Sequence, residues 1–142
     1  MRVFLDASVM VAATLSSKGG SFRVVNEAAF YGHQLFTSRY AYRETEETIA
    51  EKRPESLINF IGMAQFIILI EEPPLKLVKE MGKVIDIKDA PIVAAAVNEK
   101  VEILLTLDRK HFLENIQLKK KFSDLKIITP GEFIQNYLIG FE

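Results

Sequence analysis

Short apolar runs alternate with helical patterns along the whole chain, and no linker, repeat or low-complexity stretch divides them. This alternation narrows the fold more than any other feature. Residues 2–5, 34–37, 66–70, 101–107 and 126–128 read as strands, because each is a short, largely apolar run bounded by turn residues or polar segments. Strands that are apolar on both sides suit a parallel sheet covered on both faces. Helical spacing is expected over residues 7–15, from Ser21 to a stop at Gly32, over 39–52, from Pro54 to about 64, from Leu75 to about 82, and from Asp89 through 97. The expected fold class is therefore α/β: one domain over residues 1–142, with a central, mostly parallel five-stranded sheet flanked by helices in three layers.

Several boundaries carry their own chemistry. Ser21, Ser38 and Asp89 stand where N-caps belong, and Pro91 is tolerated in a first helical turn. Thr129-Pro130-Gly131-Glu132 is a capping box with proline at the first helical position, and Ile128 with Phe133 can form the accompanying staple.

At 142 residues the chain is long enough to bury roughly 70% of its unfolded surface without a covalent staple. The absence of cysteine excludes disulfides and thiolate metal sites and fits a reducing cytoplasm, the expected compartment. Asp6 interrupts the first apolar stretch before a signal-peptide core can form, so the start reads as mature protein. The longest nearly apolar runs, 60–70 and 90–97, are too short to span a bilayer. A net charge of -1 gives no global basic field.

Parallel sheets bind ligands beyond the carboxyl ends of their strands. Asp6 follows the first strand and Asp108 the fourth, while Asp89 opens a helix and Glu44 lies in the helix that starts after Ser38. Brought together, these carboxylates need a cation, since unpaired buried carboxylates are costly or become protonated. With no cysteine and no convergent histidine expected, an oxygen donor set points to Mg2+ or Mn2+. Taken one at a time, Asp6 and Asp108 also suit turns, Asp89 an N-cap, and Glu44 a helix surface shared with Glu46 and Glu47.

Other residues stay open between two roles. Arg39, Arg43, Arg109 and Lys110 can hold phosphates or be ordinary surface charges, and Lys119-Lys120-Lys121 reads as a solvated face. His111 can serve as a general acid near Asp108, but in a lysine-rich stretch it reads as exposed, and His33 reads as part of a turn. Tyr40 and Tyr42 can stack on bases, with at least one expected in the core, and Asp86 is expected to shape its loop.

Together, Phe4-Leu5-Asp6-Ala7-Ser8-Val9, the helix start from Ser38 to Glu44, Asp86-Ile87-Lys88-Asp89-Ala90-Pro91-Ile92, Leu105-Thr106-Leu107-Asp108 and Ile128-Thr129-Pro130-Gly131-Glu132-Phe133 resemble the PIN domain. The resemblance is to its small single-domain members, which include VapC-type toxins. It implies a metal-dependent nuclease whose catalytic acids are Asp6, Glu44, Asp89 and Asp108. Asp6 and Asp108 would be direct metal ligands, with Asp89 or Glu44 acting through water, Thr106 supporting the site and Ser8 orienting Asp6. Some relatives carry a further acidic residue soon after the last aspartate, whereas Arg109-Lys110-His111 stands here, which leaves a second metal position open.

The activity so implied is RNA phosphodiester hydrolysis, with RNA as substrate, a small antitoxin as partner, and a homodimer or higher homo-oligomer as the assembled state. Apolar faces of the helices before Gly32 and after Pro54 can serve self-association, although most of those positions are expected in the core. Two rival functions remain. One is a non-catalytic PIN-like module that binds RNA or protein. The other is a haloacid-dehalogenase-like phosphatase, which wants a second acidic residue two positions after Asp6, where Ser8 stands.

Overall fold

In a computed structural model describing residues 1–139, strands β1 (Arg2–Leu5), β2 (Gln34–Ser38), β3 (Ile68–Ile70), β4 (Ile103–Leu105) and β5 (Lys126–Ile128) form one sheet. The strand order is β3-β2-β1-β4-β5, and every neighbouring pair is parallel. Chain order thus reverses direction between β1 and β4, so that a crevice opens at their carboxyl ends. Register is fixed by Phe4 opposite Phe36 on one side and Leu5 opposite Leu105 on the other. The ladder continues one step further, with the Asp6 amide donating to the Leu105 carbonyl at 3.0 Å.

Helices α1 (Ala7–Leu15), α2 (Gly20–Glu27), α3 (Arg39–Lys52), α4 (Leu57–Ala64), α5 (Leu75–Met81), α6 (Ala90–Asn98), α7 (Ile116–Lys121) and α8 (Pro130–Tyr137) flank the sheet. α1 packs on α2, α3 and α4, while α6 packs on α5, α3 and β2. The core is continuous from Val3, Phe4 and Leu5 through Val9 and Met10 to Leu104 and Leu105. Ile92 to Ala96 of α6 are all buried, and their small side chains let the helix lie close to its neighbours. No helix among the described residues is long and apolar enough to cross a membrane.

Several expected boundaries move for identifiable reasons. β3 starts at Ile68 rather than Phe66, because the amides of Phe66 and Ile67 turn back onto Met63 and Ala64. β4 is shorter at both ends than residues 101–107. The Val101 amide closes α6 on Ala96, and the Leu107 and Asp108 amides are taken by the side chains of Ser8 and Thr106. Ser21 is buried inside α2, whose N-cap is Gly19 with no side-chain cap bond. α2 ends at Glu27 and tightens into a 3-10 turn, Ala28–Tyr31, before Gly32 stops it at φ 81°.

Other expectations hold. Ser38 caps α3 by accepting the Ala41 amide, and the Thr129–Glu132 capping box closes the start of α8. Tyr42 packs on Phe60 with ring centres 4.8 Å apart. His33 is more than a turn residue: it bridges the Met1 amine and the Tyr137 carbonyl, and its ring lies 5.1 Å from that of Phe133.

Candidate functional site

Asp6 leaves β1 and caps α1, so its carboxylate lies beside the carboxyl ends of β1 and β4, where strand order reverses. Oδ1 accepts the Ala7 amide at 2.8 Å, and Oδ2 accepts hydroxyl protons from Ser8 at 2.8 Å and Thr106 at 2.7 Å. Both hydroxyl oxygens then accept amides from the end of β4: Ser8 from Leu107 and Thr106 from Asp108, each at 3.0 Å. Two small side chains thereby tie the ends of β1 and β4 together. Asp6 is buried, and burial pushes its carboxyl above the usual range. The bonds from Thr106, Ser8 and Ala7 pull it back down, and the Asp108 charge pushes it up again.

Asp108 caps a single π-helical turn, Arg109–Leu113, a conformation that recurs at functional sites. Its Oδ1 accepts the His111 amide at 3.0 Å, and its Oδ2 lies 3.0 Å from His111 Nδ1. The same ring nitrogen is 3.9 Å from Asp89 Oδ2. The expectation of an exposed, uninvolved histidine is therefore corrected: His111 converges on the acidic cluster. One carboxylate oxygen each of Asp89 and Asp108 and one nitrogen of His111 all lie within 4.8 Å of one another. The spacing alone hinted at this, since a residue three positions after a capping aspartate can reach back to the cap, but the basic neighbours masked it.

Asp89 stands at the start of α6, yet its side chain caps nothing. The local amides explain this correction. Asp86 O takes the Ala90 amide, Asp89's own carbonyl takes that of Ile92, and Pro91 has none. The carboxylate turns inward instead, and its Oδ2 is buried without any hydrogen-bond partner. Burial pushes the Asp89 carboxyl up, His111 pulls it down, and Asp108, Asp6 and Asp86 push it up further. Asp86 shapes the preceding loop, as expected, by accepting the Lys88 amide at 3.0 Å.

Glu44 on α3 is half-buried, whereas Glu46 and Glu47 are exposed. Its carboxyl is pushed up to about 7, first by burial and then by Asp6 and Asp89, with Lys88 opposing and Glu47 adding to the rise. Tyr40, one turn earlier, donates to the Lys88 carbonyl at 2.8 Å and ties α3 to the loop that carries Asp89. Burial, then Glu44, Asp89 and Glu47, raise the pKa of its phenol.

The close cluster is thus Asp89, Asp108 and His111, while Asp6, held by Ser8 and Thr106, and Glu44 join it through the charges that add to burial in raising their carboxyls. Arg39, Arg43 and Lys110 are exposed and form no ion pair or side-chain hydrogen bond with a described residue, and Arg109 lies 3.7 Å from Glu114.

Residues 2–110 match the sequence family described as the PIN domain. This chain belongs to that family. The matched stretch of this PIN domain contains all four acidic residues and ends one position before His111. No curated protein matches the chain by sequence. Among solved structures, the PIN domain is similar in fold to VapBC2 from Rickettsia felis, bound to a DNA fragment from its promoter. The identity is 15%, 91% of this chain and 98% of that one are covered, and the TM-score is 0.66. PAE2754 from Pyrobaculum aerophilum aligns over 97% of this chain and 90% of its own, with 14% identity and a TM-score of 0.68. Mycobacterium tuberculosis VapC20, described as a sarcin-ricin-loop-cleaving toxin, aligns over 76% and 91%, with 14% identity and a TM-score of 0.57.

The donor set fits a divalent cation. A buried carboxylate oxygen without a partner costs several kcal/mol, of the order of ~2–7 for a polar group, unless a proton or a cation satisfies it. Asp89 Oδ2 is such an atom, and oxygen-rich donors suit hard divalent ions.

Proposed function

We propose that this PIN domain is a metal-dependent endoribonuclease and the toxin of a toxin–antitoxin pair. The observation that carries the reading is the buried, unpartnered Oδ2 of Asp89 facing a group of like-charged carboxylates. Asp6, Asp89 and Asp108 would hold Mg2+ or Mn2+, and Glu44 would act through water. The bound ion supplies charge neutralisation at the phosphodiester and a more acidic attacking water.

The chain's own residues do the rest. Thr106 and Ser8 hold the Asp6 carboxylate in one orientation. Glu44 stands across the site on a separate helix, where its carboxylate can take a proton from the attacking water. Arg39 and Arg43 on α3 and Lys110 after Asp108 are free to bind backbone phosphates around the cleavage position, and Arg109 would do so by leaving its exposed pairing with Glu114.

Partners follow the same reading. The fold likeness to VapBC2, bound to a DNA fragment from its promoter, supports a small antitoxin for this chain. The fold likeness to VapC20, a sarcin-ricin-loop-cleaving toxin, supports RNA as the substrate. Ile58, Ile61 and Phe66, on and just after α4, are more than half exposed, and Phe30 is 82% exposed. These are the faces expected to serve self-association, and a homodimer in the cytoplasm is the proposed state.

The test is cleavage of labelled RNA by the purified chain with Mg2+, Mn2+ or EDTA, beside Asp6→Asn and Asp89→Asn variants and a generic phosphomonoester. Cleavage that needs the metal and fails in both variants supports the nuclease. Phosphate release from the monoester supports the phosphatase, and RNA retained without cutting supports a binding module.

A further inference from the structure

We propose that His111 is itself a metal ligand, and that its Nδ1 gives the site a mixed nitrogen and oxygen donor set that favours Mn2+ over Mg2+. The inference rests on the metal-dependent reading above and deepens it. His111 lies outside the stretch matched to the family, so nothing in that match assigns it a role.

The donors are close enough for one ion to reach all three with small side-chain adjustments. Neighbouring donors on an octahedral ion at about 2.1 Å lie about 3.0 Å apart, and opposite donors about 4.2 Å. His111 Nδ1 is 3.0 Å from Asp108 Oδ2 and 3.9 Å from Asp89 Oδ2. The second of these oxygens belongs to a residue only 8% exposed and has no hydrogen-bond partner. It is aimed at the space that the histidine also faces.

The ring is held there by backbone. Asp108 Oδ1 accepts the His111 amide at 3.0 Å, and Asn115 donates to the His111 carbonyl at 3.2 Å. An ion would therefore find the imidazole already in place.

Donor type then sets selectivity. Mg2+ prefers oxygen and gives up its waters reluctantly, whereas imidazole suits transition ions, and Mn2+ accepts both kinds of ligand. Replacing one oxygen by nitrogen costs Mg2+ more than Mn2+.

Pulsed EPR on the tag-free, full-length chain loaded with Mn2+ tests this directly through 14N hyperfine coupling. The sequence has two histidines, and both ring nitrogens of His33 are engaged elsewhere, so an imidazole signal comes from His111. The wild type should show the coupling and His111→Gln should lose it. Mn2+ affinity should fall about tenfold or more in that variant, with a smaller change for Mg2+. His111→Asp, which restores an all-oxygen set, should bind both ions without 14N coupling and with a smaller Mn2+ preference. Mn2+ bound by the wild type without 14N coupling, or an Mn2+/Mg2+ affinity ratio unchanged in His111→Gln, overturns the assignment while leaving the metal site standing. Failure of the wild type to bind Mn2+ at all overturns both.

Discussion

Thr106 holds Asp6 from the neighbouring strand, donating to Oδ2 at 2.7 Å while its own oxygen accepts the Asp108 amide at 3.0 Å. One fully buried hydroxyl therefore sets the relation between two of the proposed ligands. Thr106→Val keeps the volume and removes both bonds. It should cost about 1–3 kcal/mol of stability and weaken Mn2+ binding about tenfold or more. Thr106→Ser should retain most of both. Urea unfolding and Mn2+ titration check this, and a valine variant with wild-type ion affinity would remove Thr106 from the site.

Asp89→Asn should separate stability from function. Its carboxyl is pushed up by burial and by neighbouring carboxylates, so neutralising it should raise the melting temperature of the EDTA-treated protein. The same change should abolish the stabilisation by Mn2+, which in the wild type is about 2.7 kcal/mol at a hundredfold excess over Kd. Thermal scans with EDTA and with Mn2+ measure both. An asparagine variant that melts lower in EDTA and still responds to Mn2+ would contradict the assignment.

Glu44 makes the metal-free protein sensitive to pH. Its folded pKa of about 7 lies above its ordinary 4.5, so between those values the folded chain keeps a proton that the unfolded chain releases. Stability from this group is fully present below about pH 4.5 and is lost as pH rises through about 7. Asp6 and Asp89 are raised as well and act in the same direction. The urea midpoint in EDTA should therefore fall between pH 5 and 7.5, and Glu44→Gln should flatten the curve. A wild-type midpoint that climbs over that interval would count against the coupling described here.

Thr129→Ala supplies a control remote from the acidic group. Thr129 and Glu132 satisfy each other's backbone at the start of α8, and losing the cap should cost about 1 kcal/mol. RNA cleavage at a temperature where the variant stays folded should not change. A large loss of cleavage there would show that α8 matters to the site.

The sheet is legible in the sequence because each strand is an apolar run with its own punctuation. Asp6 and Asp108 are legible because each ends such a run. Glu44 can be placed on the right helix, but its choice over Glu46 and Glu47 depends on how α3 is rotated against α1 and α6. Asp89 misleads as a cap, because Asp86 takes the Ala90 amide and Ile92 bonds to Asp89's own carbonyl. Knowing that requires the loop's path. His111 is hidden by its basic neighbours, since local composition says solvent while the Asp108 cap turns the ring inward.

The two halves of the acidic cluster are held in different ways. Asp6 and Asp108 hang from adjacent strands whose ladder runs through Phe4 with Leu104 and Leu5 with Leu105, so separating them means breaking the sheet. Glu44 and Asp89 arrive on α3 and α6, joined at this end by the Tyr40 bond to the Lys88 carbonyl. An inhibitor that pries at the strands works against the whole core. One that levers α3 away from the 86–89 loop has only the Tyr40 hydrogen bond and the α3–α6 packing to overcome before Glu44 and Asp89 part.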